Sequence, residues 1–135
     1  MTPQRIARSV ELNVALIVAN IAWGYYLVST PRIEFERSVI WEGALGATPS
    51  GDPKLFGMAF LVAGVLLLAG QRIDLPLYAG FLLALGTWGV MTYSFAFSAI
   101  VNRPDEGFSP GLGFGGFISG GLTVFLHLFA LGFRK

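Results

Sequence analysis

Four apolar runs account for most of this chain, and each is set off from the next by a proline-rich or charged cluster. They cover about Val10–Val28, Leu55–Gly70, Leu75–Val101 and Pro110–Phe133. A helix that crosses the hydrocarbon core needs about 20 apolar residues, with a range of roughly 17 to 25. The first, third and fourth runs meet that length. The second falls just short, and Lys54 and Arg72 at its ends can snorkel to extend it. Charged residues make up only 13% of the chain, against roughly 25% in a soluble domain. Too few charges remain to cover a water-facing surface. The expected solvent is therefore lipid, and the expected fold is an all-α integral membrane four-helix bundle of 135 residues in one domain. A net charge of +1 gives no basic patch for nucleic acid. With no cysteine, disulfides, thiolate metal sites and thiol–disulfide chemistry are excluded.

The first run begins after Arg5 and Arg8 and ends at Ser29-Thr30-Pro31 without a small-residue cleavage site, so it reads as an uncleaved span. Trp23, Tyr25 and Tyr26 fall toward its far end, where amphipathic rings favour the headgroup region. Between the first two runs, Thr30 can serve as N-cap and Pro31 as first helical residue. Glu34 and Glu36 would then lie near the positive end of the dipole. A short interfacial helix over about 32–44 is expected, closed by the turn cluster Thr48–Pro53. Gln71-Arg72-Ile73-Asp74 is a tight turn, which makes the second and third spans an antiparallel hairpin. No internal repeat is visible.

Orientation follows from the basic residues. With the N-terminus cytoplasmic, the inner segments carry five basic and two acidic residues, net +3. The outer segments carry four basic and six acidic residues, net −2. Both termini are expected on the cytoplasmic side of an inner membrane.

Polar residues inside apolar runs are the candidate functional positions, because each costs free energy unless it finds a partner. Asn13 and Asn20 are seven apart on one face of the first span. They line a polar path or they bond neighbouring helices, and helix bonding is the favoured reading. Thr87, Ser94 and Ser98 are expected to bond their own helix backbone or a neighbour. His127 is the only histidine, too few within one chain for a haem ligand pair or a zinc site. A neutral imidazole bonded to a carbonyl or an asparagine is expected. Glu11 lies one residue into its run beside Arg8, where an i,i+3 ion pair explains it better than ion-coupled transport.

Glycine spacing is the most specific pattern. Gly111, Gly115 and Ser119 are four apart, as are Gly116 and Gly120. This is the small-xxx-small device for close helix approach. It serves packing within one bundle or association between chains. Ala59-Ala63 and Gly80-Ala84 offer matching small faces. No catalytic motif is present, so neither an enzyme nor a cofactor is expected.

In size, short loops, glycine- and alanine-rich spans and the basic tail Phe133-Arg134-Lys135, the chain resembles the small multi-span membrane proteins of tailed phages, including holins. That resemblance implies a self-associating protein that permeabilises or remodels the bilayer. The alternative is an accessory subunit packed on a larger membrane complex. The expected partners are lipid and other membrane helices.

Overall fold

The computed structural model describes residues 3–33, 52–101 and 110–132. All regular structure among them is helical. The four helices are α1 (Pro3–Ser29), α2 (Pro53–Ala69), α3 (Asp74–Val101) and α4 (Pro110–Gly132). Each helix covers one apolar run, and prolines and glycines punctuate the boundaries. Pro53 opens α2 behind an N-cap, Asp52, whose carboxylate accepts from the Lys54 N–H at 2.9 Å. Gly70 closes α2 with its N–H on the Leu66 carbonyl. A side chain at Gly70 would collide with Leu77, so glycine lets α3 turn back directly onto α2.

The helix termini differ from the hydropathy boundaries in one place. α1 starts at Pro3, well before the apolar run. The intervening Gln4, Arg5, Ile6, Ala7 and Arg8 are mostly good helix formers. Hydropathy marks the apolar part of a helix and not where its hydrogen bonds begin. At the other end, the Thr30 hydroxyl donates back to the Tyr26 carbonyl at 2.7 Å, closing α1. Positions 32 and 33 are helical. The remainder of the expected interfacial helix at 32–44 lies outside the described residues.

The helices follow one another around the bundle. α1 packs on α2, α2 on α3 and α3 on α4, while α1 and α4 meet over a smaller area. Buried positions recur in steps of three and four. One such series on α1 is Asn13, Ile17, Asn20, Gly24 and Leu27; on α2, Pro53, Gly57, Phe60, Gly64 and Leu67; on α3, Leu77, Gly80, Ala84, Thr87 and Met91; Leu16, Ala63 and Phe81 are buried beside them. This 3.5-residue period is the seam of helices packed knobs-into-holes. Two apolar clusters fill the interior. One gathers Leu16, Leu67, Leu77, Phe81, Ala84 and Ala130. The other holds Leu27, Phe60 and Met91 with Trp23, Phe56 and Phe95 against them.

Where glycines occur on the seam, backbones nearly touch. A Cβ on Gly24 would lie 2.8 Å from the Gly57 carbonyl oxygen, and one on Gly57 would lie 2.9 Å from the Gly24 oxygen. Gly80 meets the Leu67 backbone in the same way at 2.8 Å. Such approach multiplies small dispersion contacts. Of the small pairs on the second and third spans, Ala63, Gly80 and Ala84 are buried, while Ala59 is only half-buried.

Two helical segments are long and apolar enough to cross a membrane, Val10–Ser29 and Asp74–Tyr93. α2 and the Ile118–Ala130 part of α4 are apolar but shorter.

Candidate functional site: a polar link between three helices

A polar link lies at the centre of the bundle, between the two apolar clusters. Asn20 from α1 and His127 from α4 are both fully buried, and Trp88 from α3 meets them. The Trp88 Nε1–H donates to Asn20 Oδ1 at 3.1 Å. Asn20 Nδ2 donates to the Leu16 carbonyl at 2.8 Å and lies 2.9 Å from His127 Nε2. His127 Nδ1 lies 2.7 Å from the Thr123 carbonyl.

Donor and acceptor roles follow by elimination. An indole N–H only donates, so the asparagine oxygen faces Trp88 and its NH₂ faces the histidine. The amide donates, so Nε2 accepts. The proton then sits on Nδ1 and is given to Thr123. The arrangement holds His127 as the neutral Nδ1–H tautomer. Both amide protons of Asn20, its oxygen and both ring nitrogens of His127 are engaged. Buried polar groups are stable only when satisfied in this way. Aromatic edges complete the enclosure: Phe81 meets the imidazole edge-on at a centroid distance of 6.3 Å, and Phe60 meets Trp88 at 5.0 Å.

The link has little chemistry to offer. Neither imidazole nitrogen is open to a substrate or a metal. Among the described residues, no three His, Cys, Asp or Glu side chains come together. The geometry suits a tie between helices.

Other polar residues of the spans are placed differently. Asn13 is buried at 5% exposure and makes no side-chain hydrogen bond among the described residues. The heptad relation with Asn20 thus gives a shared face and not a shared role. Thr87 donates to the Leu83 and Ala84 carbonyls of its own helix. The side chains of Ser94 and Ser98, and that of Arg8 beside Glu11, lie outside the described residues. Trp23, expected at the headgroup level, turns inward and donates to Met91 Sδ at 2.9 Å. Three and four residues separate it from Asn20 and Leu27, which puts all three on the buried face. Tyr25 and Tyr26 are the exposed rings, at 68% and 43%.

The surroundings of Gly111, Gly115 and Gly116 lie outside the described residues. Gly120 is buried, and a side chain there would collide with the Thr92 hydroxyl. Among the described residues, close backbone approaches are made by Gly24, Gly57, Gly70 and Gly80, none of which belongs to the fourth-span motif. The signal for them is the seam itself, since Gly57 and Gly64 are one heptad apart. Gly120→Leu is expected to lower stability by about 1–3 kcal/mol. Phe129→Leu, half-exposed at 49%, should change it by no more than about 0.5 kcal/mol. Unfolding of both variants in one mild detergent compares them, and equal stability would show that α4 does not depend on its approach to Thr92.

Comparison with protein families, characterised proteins and solved structures finds no match to this chain.

Proposed function

We propose that the chain is an integral membrane protein of the cytoplasmic membrane, without catalytic activity. In this reading it assembles with other membrane helices, copies of itself first, and permeabilises or remodels the bilayer as holins do. The supporting observation is an inverted distribution of polarity. Val14, Val18, Val65, Leu82, Leu122 and Phe125 stand exposed on the outer faces of all four helices. Asn13, Asn20, Thr87 and His127 are inside. Soluble monomers rarely expose apolar patches above a few hundred Å². In the two longest apolar segments only 33% of residues are buried, so most side chains on them need an apolar solvent. α2, at 17 residues, measures about 26 Å at 1.5 Å per residue, slightly less than a hydrocarbon core of about 30 Å. Lys54 and Arg72 flank it and can reach the interfaces.

The closed Asn20–His127 link bears on where permeation would occur. Its hydrogen-bonding groups are used internally, so among the described residues the link itself offers no free polar group to water or ions. A lesion would form between copies. The accessory-subunit reading draws on a different feature. An apolar groove of about 350 Å³ runs along the α2–α3 seam, lined by Phe56, Ala59, Leu83, Gly86 and Val90 among others. It would take a helix of an unlike chain as readily as lipid.

Extraction in mild detergent, followed by native mass determination, separates the readings. Homo-oligomers support the first and co-purified unlike chains the second. A monomer without partners, inert on vesicles, would refute both. Topology is tested separately with cysteines at Ser50 and Gln71. An impermeant thiol reagent added outside intact cells should label the first and spare the second. Equal labelling of both would overturn the four-span arrangement.

A further inference from the structure

The side of the bundle where α1 and α4 pack least contains a partly enclosed cavity of about 210 Å³. α4 contributes only small residues to it: Ser119, Gly120 and Thr123. Trp23 from α1 and Trp88, Met91 and Phe95 from α3 form the rest of the described wall. Ser119 is exposed, so the cavity reaches the surface beside it.

The wall has a definite chemistry. Three of its donors are committed within the protein: Trp23 Nε1 to Met91 Sδ, Trp88 Nε1 to Asn20 Oδ1, and Thr123 Oγ1 to the Ser119 carbonyl. Aromatic rings, a thioether and the lone pairs of the Thr123 hydroxyl oxygen remain for an occupant. No charged side chain belongs to the described wall, so an ionic guest would be left unpaired. Aromatic rings gain from offset or edge-on contact with other rings, and methionine sulfur adds favourable contact at a ring edge. A dry cavity of about 150 Å³ lined by apolar residues holds benzene, so the volume here has room for a ring with small substituents.

We propose that this cavity is a binding site for one neutral aromatic ring carrying a hydroxyl group, the chemistry of a phenol. The ring lies among Trp23, Trp88, Met91 and Phe95, and its hydroxyl donates to Thr123 Oγ1. The phenol is either a free small molecule or the ring of an amphiphile whose tail leaves past Ser119. The proposal does not depend on how the chain assembles in a membrane.

The test titrates the full chain in detergent with p-cresol and with toluene, which has the same shape without the donor. Tryptophan emission and the thermal midpoint are followed together. Saturable binding of p-cresol is expected, about five- to tenfold tighter than toluene, as one net hydrogen bond allows. Thr123→Val, which removes the hydroxyl at nearly constant volume, should reduce p-cresol to the toluene level. Leu122→Ala, on the outer face, should leave the difference intact. 4-Octylphenol distinguishes the two sources: competition with p-cresol at lower concentrations of octylphenol assigns the ring to an amphiphile, and the reverse order to a free phenol. Linear, non-saturating responses to both p-cresol and toluene in the wild-type chain would overturn the proposal. So would an unchanged preference for p-cresol in a folded Thr123→Val variant.

Discussion

Gly57→Leu is expected to cost about 3 kcal/mol or more and to prevent α1 and α2 from packing. The first added carbon would already lie 2.8 Å from Leu27 Cβ and 2.9 Å from the Gly24 carbonyl oxygen. Carbonyl oxygens in a helix cannot rotate away as a side-chain tip can. The helices must separate, and contacts between Phe60 and its neighbours are lost with the crossing. Gly86→Ala is the control, because nothing lies within 4 Å of a Cβ at that position. It should change stability by no more than about 1 kcal/mol. Titration of both variants with a denaturing detergent reads the difference. A Gly57→Leu variant as stable as the wild type would rule out the close crossing of α1 and α2.

Asn20→Leu has the next largest expected effect. Leucine matches the volume but leaves the Trp88 indole N–H and His127 Nε2 without their partner. Hydrogen bonds between membrane helices contribute about 0.6 to 2 kcal/mol each, so a loss of about 2 kcal/mol is expected. Trp88→Phe removes one of these bonds and should cost less. The double variant should be more stable than the summed single effects imply, by about 0.5–2 kcal/mol, because an absent indole leaves no orphaned donor. Strict additivity would mean that the Trp88–Asn20 bond contributes nothing in solution. If the protein permeabilises vesicles, an Asn13/Asn20 double leucine variant that still folds should retain that activity. Its loss would place the two asparagines on the permeation path.

The four helices were legible because the cues for them are local. Apolar runs, Pro53 and Pro110, and the Gln71–Asp74 turn all act within a few residues. Asn20 and His127 were legible individually, as polar groups in apolar surroundings. A carbonyl and an asparagine are the expected partners of His127 and both are found, but which asparagine was not legible, since 107 residues separate the two and no local pattern encodes the contact. Trp88 escaped notice for another reason. In an apolar run an indole reads as bulk, although its N–H must find an acceptor once buried. The glycine crossing of α1 and α2 does not show as a glycine spacing of four, which the sequence displays in the fourth run. The observed seam advances by three and four alternately, so Gly57 and Gly64 stand seven apart. Nearness to the end of a helix bears on the height of Trp23, while its three- and four-residue spacing from Asn20 and Leu27 sets the face on which it falls.

The link between Asn20 and His127 also bears on how the last helix finds its height. Apolar side chains surrounded by lipid or by one another are nearly interchangeable, so sliding α4 along its axis changes dispersion energy little. Among the described residues of its small face, Gly120 alone meets a close neighbour, Thr92. A slip of one turn would carry His127 about 5.4 Å along the axis, nearly twice the 2.9 Å distance to Asn20. The imidazole would lose its donor and the amide its acceptor together. A single pair of polar side chains thereby acts as a vernier, setting the axial position of a helix whose remaining contacts tolerate many positions.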